Sequence, residues 1–310
     1  SIASFRAISA FLNVMSIMGL YFLSRLFFDR RYALFVILAA SISPWVFQSS
    51  RVGWESPFVP TFMIWGIYFL LRSHKYFDML VSGFLLSCAM YSYSPAKALI
   101  PLLIFPLFFL KWKHHGLKIK STVIFFVMLV GASIPLVWET FGGAYKKSFE
   151  DVVIFSGPYL RSIGRTNSIF DITAVFFENF MVYLKPDYLF FTGDFNLRHA
   201  SQFAGQLSWL DSFALILSIG YMIQRVCDIE KIEQMRLRSK ESIFISFLLV
   251  CIIISIVPAA LTHTSGFQNA LRSIGSWPFI SLFTGYILWK TTEKWKYVLP
   301  AVVFISIIFA

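Results

Sequence analysis

In 310 residues this chain carries 57% hydrophobic and only 14% charged side chains, with a mean hydropathy of +0.70, where a soluble domain holds roughly 25% charged residues. No single water-soluble core hides that much apolar surface, and apolar runs suited to a hydrocarbon layer roughly 30 Å thick recur along the whole chain. The formal charge of +11 sits mainly in short loops between those runs, so membrane topology explains it and a nucleic-acid partner is excluded as its cause.

In chain order the candidate spans are residues 5–28, 32–47, 58–71, 77–90, 98–110, 121–137, 207–224, 242–261, 274–289 and 297–310. These runs are continuously apolar rather than alternating, which predicts helices and not barrel strands, because lipid requires each segment to satisfy its own backbone hydrogen bonds. The fold class expected is all-α, a polytopic transmembrane bundle forming one membrane domain over residues 1–310. The chain opens at Ser1 without an initiator Met and stops inside an apolar run at Ala310, so truncation at both ends is expected.

Counting Lys and Arg on alternate loops gives sixteen in one set, from Arg30 to Lys296, against ten in the other, six of those in a single long loop. Short basic loops stay in the cytoplasm and long loops weigh little. The first set is therefore expected to be cytoplasmic, and residues 138–206 become the one large extracytoplasmic loop. Within it Ser168-Ile169-Phe170-Asp171 reads as a capping box, and the run to Leu184 carries an apolar face opposite Asp171, Glu178 and Asn179 before Lys185-Pro186 ends it. That pattern predicts an amphipathic helix in the membrane interface, with an eleventh span as the alternative.

The cysteines Cys88, Cys227 and Cys251 have no metal-ligand spacing and read as packing residues. Nothing resembles HExxH, a Cys/His site or a DxD cluster, so no metal is expected. The loops KWKHHGLKIK and RVCDIEKIEQMRLRSKE lack P-loop or Rossmann glycines, which excludes a nucleotide-driven engine there.

Polar residues suited to catalysis gather instead in four outward loops. They are Arg51 and Glu55 in RVGWESP, Tyr91, Tyr93 and Lys97 in YSYSPAK, Asp187, Asp194, Arg198 and His199 in KPDYLFFTGDFNLRHA, and His263, Asn269 and Arg272 in LTHTSGFQNALR. Arg, Lys, His and carboxylates on one membrane face suit an anionic lipid-linked substrate and acid/base chemistry on a hydroxyl. Structural roles stand beside each: headgroup anchoring for Arg51 and Arg272, an aromatic belt for Tyr91 and Tyr93, a turn for Asp194, and a local ion pair for Glu55.

Four stretches, SPWVFQSSRVGWESP (43–57), YSYSPAKALIPLL (91–103), YLKPDYLFFTGDFNLRHASQFAGQL (183–207) and NALRSIGSWPFISLFTGY (269–286), together resemble the bacterial family 39-like, or phospholipid-carrier-dependent, glycosyltransferases of the GT-C membrane fold. The resemblance implies transfer of a sugar from a polyprenyl-phosphate donor to a lipid, glycan or protein acceptor at the extracytoplasmic face of a bacterial plasma membrane, without a further cofactor. In that family a carboxylate of the first extracytoplasmic loop is the base; that loop precedes the first span here, so the main base is expected upstream of Ser1, with Glu55 and Asp194 as the candidates within the chain. Lys97 stands where the family's tyrosine-rich motif has Arg, keeping the charge but not the bidentate fork. Arg272 and Lys97 are the candidate donor-phosphate ligands, with Arg51, Arg198, His199, Tyr93 and Asn269 as further substrate contacts. An O-antigen ligase or polymerase, using a lipid diphosphate, and a lipid or solute transporter are the competing readings. The transporter reading predicts charged or broken helices at mid-membrane and internal repeats.

Overall fold

The computed structural model describes residues 2–142, 152–200, 203–227, 239–263 and 269–294. The helices are α1 (Ile2–Ser24), α2 (Arg30–Ser41), α3 (Pro44–Arg51), α4 (Phe58–Arg72), α5 (Tyr76–Ser92), α6 (Ala96–His115), α7 (Ile119–Gly142), α8 (Gly157–Ser162), α9 (Ile169–Val182), α10 (Trp209–Cys227), α11 (Ser239–Ala260) and α12 (Trp277–Lys294). A π turn over Asp187–Phe191 and a 3-10 turn over Ile274–Ser276 complete the regular structure. Among the described residues no strand forms, only an isolated bridge between Val153 and Thr262.

Among the described residues, three helices are long and apolar enough to cross a membrane unaided: Ser4–Ser24, Ile119–Thr140 and Lys240–Ala260. Phe58–Arg72, Tyr76–Ser92 and Trp209–Gly220 are apolar but shorter. The expected span over 32–47 is not one helix. It breaks into α2 and α3 with a 57° bend, because Pro44 at the start of α3 has no N–H to continue the ladder and holds Ser43 extended at φ −68°, ψ 122°. α7 runs on to Gly142, past the expected loop boundary at 138. The expected span at 297–310 lies outside the described residues.

Close packing in the bundle is made where a small residue admits a neighbour. A Cβ on Gly66 of α4 would stand 2.7 Å from the Leu86 side chain of α5, one on Gly83 of α5 would stand 2.8 Å from the Phe125 carbonyl of α7, and one on Gly285 of α12 would meet the Val36 backbone of α2 at 2.7 Å. Contact between helices in lipid depends on such approach and on hydrogen bonds between them rather than on expulsion of water. Ser16 and Thr61 share a 2.7 Å bond across α1 and α4, Ser82 donates to the Gly66 carbonyl at 2.7 Å, and Tyr32 donates to the Leu282 carbonyl at 3.1 Å. Asp211, buried at the start of α10, accepts from Ser208 N and Oγ and from Thr284 Oγ1 at 2.6 Å, so its carboxylate is satisfied on both oxygens.

α9 starts as the sequence predicts: Ser168 accepts from the Asp171 N–H at 3.1 Å. Its 14 residues span roughly 21 Å at 1.5 Å per residue, short of a hydrocarbon core. It packs Val175, Ile172, Phe176 and Phe180 against Leu261, Ile256 and Ala259 at the end of α11, and leaves Phe170, Phe177 and Met181 exposed. Asn179, expected on the polar face, instead donates to the Ala260 carbonyl at 3.2 Å; Asp171 and Glu178 both pair with Arg165.

Candidate functional site

The bundle brings segments of these four polar loops to one end. The C-terminal end of α5 delivers Tyr93, the loop after α3 delivers Trp54 and Glu55, the segment 183–200 folds over them, and the turn from Asn269 to Ser276 closes the opposite wall.

Two groups of polar side chains form there. In the first, the Arg272 guanidinium lies near enough to Tyr93 to act on its hydroxyl electrostatically, and its Nη1 donates to the His263 carbonyl at 3.1 Å. Burial pushes the Tyr93 phenol up to about 12 against the opposing pull of Arg272, and nearby Glu55 raises it further. Tyr93 thus stays a neutral hydroxyl beside a permanent cation. Among the described residues no carboxylate forms an ion pair with Arg272, and Glu55 is exposed.

The second group centres on Asp194. Its Oδ2 accepts from His199 Nδ1 at 2.7 Å and from the Ala270 N–H at 2.7 Å, while Oδ1 accepts from the Asn196 N–H at 2.8 Å. Both side chains are buried, and the His199 ring meets Trp54 edge-on with centroids 5.8 Å apart. One carboxylate therefore fixes the imidazole and ties the 183–200 segment to the 269–276 turn.

Several local features make this geometry. Gly193 precedes Asp194 at φ +71°, a left-handed turn that glycine adopts without a Cβ penalty. A Cβ on Gly205 would stand 2.3 Å from the Leu189 carbonyl oxygen and Phe190 nitrogen, so only glycine lets the returning chain pair its Gln206 and Leu207 N–H groups with Tyr188 and Leu189 at 3.2 and 2.8 Å. Trp45 donates to the Ala270 carbonyl at 3.1 Å. Tyr188 shares a 3.2 Å bond with Ser273, and the Tyr183 hydroxyl accepts from the Asn269 N–H at 3.1 Å. Burial raises the Tyr183 phenol, opposed by that N–H and by Arg272.

The remaining sequence candidates separate. Asn269 uses its side-chain oxygen on the Leu271 and Arg272 N–H groups at 3.1 and 3.3 Å, shaping the turn that presents Arg272. Lys97, four residues after Tyr93, donates to Thr140 of α7 at 3.1 Å. Arg51 is exposed with its guanidinium 5.3 Å from the Phe47 ring. Arg198 is also exposed, and its carbonyl accepts from Gln48 at 3.2 Å. Tyr91 donates to the Ala132 carbonyl at 2.9 Å, Asp187 accepts from Thr192 at 2.8 Å, and His263 stacks on Tyr159 with centroids 4.0 Å apart, so these three bind structure. Tyr183, Tyr188, Trp54 and Trp45 were not among the sequence candidates. Their signal was aromatic residues inside loop segments, which an aromatic belt produces equally well.

Residues 1–138 match the family model for dolichyl-phosphate-mannose-protein mannosyltransferase. The matched stretch is less than half the chain and covers α1 to α6 and most of α7. With the helical architecture and its apolar spans, it supports a membrane glycosyltransferase of the GT-C type. No curated protein and no solved structure matches.

Proposed function

We propose that the chain transfers a sugar from a polyprenyl-phosphate donor to a lipid, glycan or protein acceptor, working at the extracytoplasmic face of a bacterial plasma membrane. The observation that carries this reading is Arg272 beside Tyr93: a cation with no carboxylate partner among the described residues, next to a neutral hydroxyl at the loop end of an apolar bundle. Such a pair suits a phosphate that gains charge as its sugar leaves, because preorganised donors act most strongly where charge develops.

In this reaction the acceptor oxygen attacks the anomeric carbon and the bond from that carbon to the phosphate oxygen breaks. The electron pair leaves with the polyprenyl phosphate, which Arg272 stabilises. The acceptor proton goes to a carboxylate, for which Glu55 is the exposed candidate at this end. Asp194 has both oxygens occupied, so its part is positioning His199 and the 269–276 turn.

The test is transfer from radiolabelled polyprenyl-phosphate mannose by the full-length protein in vesicles, compared with the corresponding polyprenyl diphosphate sugar. Transfer from the monophosphate alone is the expected result. Use of the diphosphate alone identifies a ligase or polymerase, and use of neither removes the proposal.

A further inference from the structure

A cavity of about 630 Å³ lies at the opposite end of the bundle, between the α4–α5 and α6–α7 connections. It is lined by His74, Lys75, Tyr76, Lys118, Lys120 and Ser121, with Leu117 and Ile119 beside them. Three lysines thus face one concavity with no carboxylate in the lining. The nearest acid along the chain is Asp78. It is buried, bonded to Ser73 and 3.8 Å from Arg72, so it is neutralised within the bundle. Behind it Lys111 donates to the Leu70 and Ser73 carbonyls, occupying the end of α4 without entering the cavity.

Two features show what the lysines face. First, α5 and α7 both begin at this cavity, at Tyr76 and Ile119, and Lys75, the residue preceding α5, gives no side-chain cap to its helix. The first-turn N–H groups of both helices add positive potential to that of the lysines. Second, the surface running from the cavity along the same two helices is apolar and exposed: Phe77, Leu80 and Phe84 on α5, and Ile119, Val123 and Val127 on α7. Ile119, four-fifths exposed at the rim, joins the basic floor to that surface.

We infer that this cavity binds a phosphate anion, and that its source is the headgroup of an anionic glycerophospholipid whose acyl chains lie along α5 and α7. Basic pockets between spans recognise such headgroups, whereas a free phosphate has no use for the apolar flank. The site stands about 25 Å from the Tyr93–Arg272 pair, the length of α5 at 1.5 Å per residue over its 17 residues. It serves a resident lipid of the membrane, independently of the sugar donor.

Native mass spectrometry of the full-length protein in detergent, titrated with phosphatidylglycerol, phosphatidylcholine or inorganic phosphate, tests this. Phosphatidylglycerol should bind with a defined stoichiometry and phosphatidylcholine should not. Lys118→Ala with Lys120→Ala should weaken phosphatidylglycerol about thirtyfold, at about 1 kcal/mol per lysine near a charged surface. Lys118→Arg with Lys120→Arg should restore it. Arg25→Ala with Arg30→Ala, the same change of charge at the same end of the bundle, should leave it unchanged. Equal loss in both alanine pairs overturns the inference in favour of general surface attraction. Tight binding of inorganic phosphate that excludes the lipid overturns the assignment of its source.

Discussion

Asp194 and His199 stand five residues apart in the chain and 2.7 Å apart through Oδ2 and Nδ1, both almost completely buried. The same carboxylate oxygen holds the Ala270 N–H, 76 residues further on. Asp194→Ala would strand three buried or half-buried donors at once and should cost about 3 kcal/mol. Thermal unfolding in detergent measures this, and an unchanged midpoint would show that the carboxylate does not tie the two segments.

Arg272→Ala should abolish sugar transfer with little change in unfolding temperature, since its backbone N–H contacts remain. Arg272→Lys should retain only a small part of the rate, because an ammonium cannot hold the His263 carbonyl and offer a phosphate the two-pronged contact that a guanidinium can. Full activity in the alanine variant would remove Arg272 from the donor site.

Tyr93 has a phenol raised from 10.0 to about 12 by burial, and its neutral form is therefore the one the fold favours. Between those two values the unfolded chain loses the proton while the folded chain keeps it, so stability present below about pH 10 falls as pH rises toward 12. The loss assigned to Tyr93 is about 2 kcal/mol, taking 1.36 kcal/mol per unit and allowing for its partial exposure. Tyr93→Phe should flatten this part of the stability-against-pH curve. An identical slope in both proteins would contradict the burial that raises it.

Gly205→Ala places a methyl group 2.3 Å from the backbone of Leu189 and Phe190. It should destabilise by about 2 kcal/mol or more and expose the 183–207 segment to limited proteolysis. Gly131→Ala, where a Cβ meets open space in α7, should be neutral or slightly stabilising. Similar proteolysis of both variants would refute the packing at Gly205.

In a cysteine-free background, cysteine at the exposed Ser94 should react with an impermeant thiol reagent added outside cells, and cysteine at Gly116 should react only after lysis. The reverse pattern would invert the orientation expected from the basic loops.

Composition and periodicity by themselves determined a helical membrane chain, most of its helices, the capping of α9 by Ser168, and the grouping of polar loops at one end. Those properties depend on the apolarity of contiguous residues and on side chains bonding within a few positions, so they are readable along the chain. The bend at Pro44 is equally local, and there the missing N–H of one residue overrides the continuous apolar run around it. Tertiary structure alone decided which candidates meet. Arg272 comes beside Tyr93 and Asp194 reaches His199 and Ala270, while Lys97 bonds Thr140 and Asn269 spends its oxygen on its own turn. Each choice depends on groups up to about 180 residues distant and on the interhelical approaches at Gly66, Gly83 and Gly285 that fix the ends of the bundle. A side chain's type gives its chemistry, but only packing fixes the atom that it faces.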